Sequence, residues 1–227
     1  MNILERAYRQ LDLAIYKDAD NSTLISNPMK FNVPEEQYIL RMMVRHPEMY
    51  GRLAIPPELA WIAKPLVKLV DSHDFIFPEN PYIYITVRSG EVRSVTDDEW
   101  HVDGFSMRKE HLPEQNYIWS NCFPTEVLDQ QFTIPDDFDP MRHNLHKYFQ
   151  DNANNSKIRL LKPNYLYTID PYVVHRRPQV PIGTKRSFIR ISFVPIEIED
   201  DTCTPNPLLP RKIYNRSDIR QKLISYN

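Results

Sequence analysis

Pro81-Tyr82-Ile83-Tyr84-Ile85-Thr86-Val87-Arg88 alternates aromatic and β-branched residues with a period of two. That period belongs to a strand, and Ser89-Gly90 after it reads as a turn. Working outward, Glu91 to Val95 reads as a short return strand. Trp100 to Met107, Gln115 to Phe123, Ile158 to Leu161, Tyr165 to Val174 and Arg186 to Pro195 continue the strand texture, with a short helix between Pro140 and Phe149. Upstream the pattern is helical. Ile3, Leu4, Ala7, Leu11, Ala14 and Ile15 share one helical face. Pro34, Glu35 and Glu36 suit the start of a helix running to Arg45. A third helix begins near Pro57 with Leu59, Ile62, Leu66, Leu69 and Val70, and Pro65 should kink or interrupt it. Helices followed by seven or eight short strands predict a mainly β (α+β) single domain. Its parts are a helical buttress over 1–78, a jelly-roll core of two sheets over 80–196 and a C-terminal extension over 197–227. In the extension Asn206 to Tyr214 reads as extended, and Ser217 suits the cap of a short last helix.

The chain has 227 residues, enough for one sizeable core. A formal net charge of -2 argues against a strongly basic nucleic-acid binder. Twenty Pro against four Gly predict stiff loops. Cys122 and Cys203 are too few for a disulfide framework and fit a reducing, cytoplasmic setting. Residues 1–19 are too charged for a signal peptide, and no apolar run approaches the roughly 20 residues of a membrane span. The sequence is silent on oligomeric state.

His101-Val102-Asp103 and the later His175 are the candidate metal ligands. In a strand, residues i and i+2 project together, so His101 and Asp103 share a face while Val102 points into packing. His175 follows the apolar stretch ending at Val174 and can face them from another strand. Two imidazoles and one carboxylate leave octahedral positions open, a donor set suited to iron(II) and dioxygen. The other five histidines sit among polar neighbours and read as surface residues. His143 and His146, at i and i+3 on the expected helix, read as a solvated face, with a weak second metal site as the alternative.

In the strand that follows, Arg186, Phe188, Arg190 and Ser192 share one face; Ile189, Ile191 and Phe193 share the other. Two arginines inside a barrel call for an anion, and a guanidinium holds a carboxylate bidentately. Arg88 shares a strand face with Tyr82, Tyr84 and Thr86 and can reach the site. Arg176 and Arg177, beside the second histidine, suit an anionic substrate.

Trp100-His101-Val102-Asp103-Gly104, His175 and Arg186 to Ser192 together resemble the iron(II)- and 2-oxoglutarate-dependent dioxygenases, whose core is a double-stranded β-helix. The resemblance covers roughly residues 80–196. It implies that His101, Asp103 and His175 bind Fe(II), and that Arg186 or Arg190, with Ser192, binds the C5 carboxylate of 2-oxoglutarate. Asn121 would stand near the C1 end, and Arg88, Trp119 and Arg177 near the substrate. No catalytic residue beyond the metal site is implied. Dioxygen and 2-oxoglutarate would be consumed to oxidise a C–H bond of a small anionic molecule, with succinate and carbon dioxide released. Retention of Asp103 favours hydroxylation over halogenation. Three alternatives stay open. One is a cupin-like metalloenzyme that binds iron or zinc without 2-oxoglutarate. Another is a nucleotide or nucleic-acid modifier of the same chemistry, using Arg176, Arg177, Lys185, Arg211, Lys212, Arg216 and Arg220 as a basic surface. The third is a non-catalytic jelly-roll binding or sensing module.

Overall fold

The computed structural model of the chain describes residues 24–47, 52–71, 81–94, 98–103, 114–130, 132, 143–169, 173–194, 197–198 and 202–209. The expected helices over 3–15 and from Ser217, and the extended stretch beyond 209, lie outside these residues.

The fold is mainly β. Its strands are β1 (Leu24–Pro28), β2 (Tyr38–Arg45), β3 (Tyr82–Glu91), β4 (Gln115–Ser120), β5 (Glu126–Leu128), β6 (Ile158–Leu160), β7 (Tyr165–Ile169), β8 (His175–Arg176) and β9 (Lys185–Val194). Among the described residues two α-helices join them, α1 (Ala63–Asp71) and α2 (Leu145–Asn152). A six-stranded sheet has the order β1-β7-β4-β9-β3-β2, and a three-stranded sheet the order β6-β5-β8. Every pairing in them is antiparallel.

The alternation of residues 81–88 sets the centre of the large sheet. Ile83, Ile85 and Val87 point outward with Ile189, Ile191 and Phe193 of the paired β9, and all six are fully buried. They pack under Leu59, Ile62, Leu66 and Leu69 from α1 and the 3-10 turn (Pro57–Ile62) before it. The other face of the large sheet meets the small sheet through Ile118, Tyr167 and Ile169 against Val127 and Val173. Outside the small sheet, Trp100, Val102, Leu128 and Val174 pack against Leu145 and Phe149 of α2. Leu66 has no exposed surface, so Leu66→Ala should cost roughly 2–5 kcal/mol of stability, read as a lower urea midpoint.

Three local expectations are corrected. The stretch 34–45 is not a helix: Glu35 and Glu36 form a turn, with Glu36 at φ 57°, and β2 follows as the sheet's edge. Tyr38, Ile39 and Val44 are strand formers, and pairing with β3 outweighs the helix-start signal. The helical buttress within the described residues is thus reduced to α1 and its leading turn. The strand through residue 88 does not stop at Ser89-Gly90, because Gly90 (φ 143°) stays paired with Arg186 and Glu91 with Lys185. The return strand at 91–95 is absent from the described residues; Val92 instead exchanges backbone bonds with Gly183 and Thr184. The interruption expected at Pro65 appears just ahead of it, where 3-10 geometry gives way to α at Ala63. Pro65 then lies in the first turn, where its missing N–H costs nothing.

Candidate metal centre

His101 and His175 face each other across a backbone pair. His101 N–H donates to the His175 carbonyl and His175 N–H to the His101 carbonyl, both at 2.9 Å. This bridge extends the small sheet by one residue and closes a long sequence gap in one step. Their rings lie 4.5 Å apart between centroids. Val102 turns away into the packing under α2, and Asp103 returns to the side of His101. One donor atom from each of His101, Asp103 and His175 lies within 4.8 Å of the others.

Both imidazoles are held in one tautomer. His101 Nδ1 lies 2.8 Å from the Glu99 carbonyl, and His175 Nδ1 lies 2.8 Å from the Val173 carbonyl. A carbonyl only accepts, so each Nδ1 carries the proton and each Nε2 presents a lone pair. Such outer bonds orient metal-binding histidines. The His175 Nε2 stands 3.5 Å from Asp103 Oδ2.

The carboxylate is anchored from the opposite sheet. Asn116 Nδ2 on β4 donates to Asp103 Oδ2 at 2.8 Å, and Arg190 Nη1 on β9 donates to Oδ1 at 3.1 Å. Ser192 Oγ donates to Asn116 Oδ1, which turns the amide so that its NH₂ meets the aspartate. The centre therefore lies between the sheets, with its histidines on one and its carboxylate clamp on the other.

Burial alone would raise the pKa of Asp103, but the Arg190 guanidinium, then His175, hold it well below the usual carboxylate range. Burial, reinforced by His175, pulls His101 down to about 4, against Asp103 and the Glu99 carbonyl. The neutral, ligating form of His101 is thus the one present at neutral pH. The unfolded chain takes up this proton near 6.5 and the folded one near 4, so metal-free stability falls as pH drops through that window. The loss is about 3 kcal/mol. Below about 4 the stabilisation from the depressed Asp103 is lost in turn. Urea midpoints at pH 7, 5.5 and 4 (roughly bracketing the window) should decline in the parent and decline less in His101→Gln.

The other candidates separate. A cavity of ≈ 1080 Å³ opens onto the triad and is lined by Arg88, Arg177, Arg186 and Arg190 among others. Arg186 Nε donates to the Cys122 and Phe123 carbonyls, and burial lowers its pKa to about 10. Ser192 is buried behind Asn116 and does not line the cavity. Asn121 accepts from the Ser187 N–H just past the end of β4, also away from the cavity. Trp119 points to the outer face, where it meets Phe31 edge-on and donates to the Met29 carbonyl, and it does not line the cavity. Arg176 is bound to Glu126 at 2.7 Å and lies over the Trp100 ring. Lys185 is exposed beside Glu35, and Arg211, Lys212, Arg216 and Arg220 lie outside the described residues.

Two residues escaped the sequence reading. Asn116, a polar residue in a strand buried throughout, clamps Asp103. His146, whose polar neighbours suggest a solvated surface residue, lines the cavity, its ring 5.9 Å from that of His101. The Asn144 side chain caps α2 by accepting from the N–H groups of His146 and Lys147, which fixes His146 in the first turn. His143, expected beside it, is exposed.

No family model matches the chain, and no curated protein does. Among solved structures, the crystal structure of AviO1 from Streptomyces viridochromogenes Tue57 is similar over 89% of this chain and 88% of that one, at 14% identity and a TM-score of 0.37. Likeness of that degree bears on neither fold family nor activity. No helix among the described residues is long and apolar enough to cross a membrane.

Proposed function

We propose that the chain is an Fe(II)- and 2-oxoglutarate-dependent oxygenase on a double-stranded β-helix core, hydroxylating a C–H bond of a small anionic molecule. The observation that carries this reading is the pair of tautomer-locked imidazoles and one clamped carboxylate at the head of an arginine-lined cavity. Two nitrogens and one oxygen on one side suit iron(II) with open positions. His101, Asp103 and His175 would hold the ion. When bound, iron with 2-oxoglutarate supplies the oxidising power, and succinate and carbon dioxide are the by-products.

The chain's own residues then have separable tasks. Glu99 and Val173 carbonyls keep both Nε2 atoms unprotonated. Arg190 and Asn116 keep Asp103 ionised and aimed. Arg190 is engaged with Asp103, which supports Arg186 as the holder of the distal carboxylate of 2-oxoglutarate. Ser192 contributes through Asn116 rather than by touching cosubstrate.

Anaerobic addition of Fe(II) and 2-oxoglutarate to the purified protein should produce a weak visible charge-transfer band. Admission of air should release succinate. A parent protein that shows neither, under conditions where a metal demonstrably binds, overturns the reading.

A further inference from the structure

Among the described residues, the cavity carries one imidazole outside the triad. His146 lines it together with His101, Asp103 and His175. Its ring centre lies 5.9 Å from that of His101, and the His101 and His175 rings lie 4.5 Å apart. The three imidazoles reach this cavity from different parts of the fold. His101 and His175 come from the bridge that extends the small sheet, and His146 comes from the first turn of α2.

The backbone of His146 is held and its side chain is not. Asn144 accepts from the His146 N–H at 2.9 Å, and the buried Leu145 and Phe149 anchor α2 outside the small sheet. The imidazole makes no hydrogen bond or ion pair among the described residues, where its one ring contact is with His101. Backbone carbonyls, by contrast, fix the rings of His101 and His175. A half-buried imidazole with no bond to break moves between its side-chain rotamers at little cost. Its nitrogens lie outside the close group of donor atoms formed by the triad, so such a rotation separates two arrangements of the site.

Distance decides what the rotated ring reaches. An imidazole nitrogen binds a divalent metal at roughly 2.0–2.1 Å, which puts the ring centre about 3.2 Å from the ion. Two imidazoles on one ion then have centres about 4.5 Å apart at a right angle, and at most about 6.4 Å apart. The His101–His175 pair has the right-angle separation. The His101–His146 pair lies inside the upper limit and so meets the condition for sharing an ion.

We propose that His146 is a fourth, replaceable metal ligand. Its imidazole binds the ion held by His101, Asp103 and His175 while the cavity holds no cosubstrate, and it leaves when 2-oxoglutarate binds. The proposal rests on the oxygenase reading for the second step only. The triad leaves three octahedral positions open, and His146 reduces them to two. A keto acid chelating by two atoms would fill both, whereas an oxygenase needs one more for dioxygen. The keto acid enters through the cavity that His146 lines, so the two contend for the same side of the ion. Until then the fourth ligand tightens the hold on the metal and leaves fewer positions open to stray reactions.

The test uses the full-length protein with His146→Ala and His146→Gln. The Asn144 cap runs to the backbone N–H, which both variants keep, so both should fold. Pulsed electron paramagnetic resonance of the Mn(II)-loaded parent should show three coordinated imidazoles without 2-oxoglutarate and two with it. Both variants should show two throughout. Mn(II) affinity without 2-oxoglutarate should fall about tenfold in either variant, and at saturating 2-oxoglutarate it should stay within about twofold of the parent. By linkage, 2-oxoglutarate should then bind the Mn(II)-loaded variants about tenfold more tightly than the Mn(II)-loaded parent. A merely structural role for His146 predicts the opposite sign. Two imidazoles in the parent without cosubstrate, or 2-oxoglutarate binding that is unchanged or weaker in His146→Ala, would overturn the inference and leave the oxygenase reading standing. If 2-oxoglutarate never binds, while the parent shows three imidazoles and the variants two, the oxygenase reading falls and the fourth ligand stands.

Discussion

Asp103→Ala is expected to bind Mn(II) or Fe(II) at least ~100-fold more weakly than the parent, with a larger loss than His101→Ala or His175→Ala. Losing an outer partner of a metal ligand already costs about 10–100-fold, and losing the ligand costs more. The ordering comes from Arg190. Its Nη1 lies 3.1 Å from Asp103 Oδ1. With the carboxylate gone, a guanidinium would remain aimed at the position of the metal, cation against cation. The histidine variants leave that pair intact and lose only a neutral donor. Asn116→Leu should fall between parent and ligand variants, about 10–100-fold weaker, since it frees Asp103 Oδ2 from its amide clamp. Removing one partner of a buried ion pair costs roughly 3–5 kcal/mol, so metal-free Asp103→Ala should also melt earlier than metal-free His175→Ala. Titration of each protein with Mn(II), followed by electron paramagnetic resonance, gives the affinities. Parent-like affinity in Asp103→Ala would place the metal elsewhere.

The parts of this site that could be read from sequence are those written in local alternation. In β9, Arg186, Phe188 and Arg190 alternate with Ile189 and Ile191, so the polar face is legible without a structure. His101 and Asp103 are likewise two apart, with Val102 between them in the apolar packing. β4 has no such alternation. Gln115 to Ser120 are all buried, because one face meets the α1 layer and the other the small sheet. Its parity is therefore invisible in the sequence, which is why Trp119 reads as a site residue there and Asn116 does not. The stretch 34–45 failed for a different reason. Pro34, Glu35 and Glu36 are chemically a good helix start, but ladder bonds to β3, far along the chain, decide the outcome. His146 also depends on a distant contact, since only the packing of Leu145 and Phe149 beneath the small sheet brings the start of α2 to the cavity.

Arg186→Ala should weaken 2-oxoglutarate binding by about 10- to 100-fold while leaving Mn(II) affinity within about twofold, because charged hydrogen bonds contribute about 1.5–3 kcal/mol. Arg190→Ala should do the reverse in order of effect. It should weaken the metal first, by about tenfold, through the loss of the Asp103 clamp, and 2-oxoglutarate only as a consequence. The two positions are four residues apart on one face of β9, about 13 Å along the strand. Arg190 sits beside the triad; Arg186 sits further out, steadied by the Cys122 and Phe123 carbonyls and the Phe188 ring. On the oxygenase reading, a diacid held at the triad by one end would present its other carboxylate along this face, toward Arg186. Arg186→Lys should recover only part of the affinity, since a lysine keeps the charge but loses both the bidentate fork and the Nε bonds that hold it in place. The measurement is 2-oxoglutarate titration at matched metal occupancy, so that a loss of metal cannot pass for a loss of cosubstrate. If Arg190→Ala loses 2-oxoglutarate at full metal occupancy and Arg186→Ala does not, the distal carboxylate belongs to Arg190.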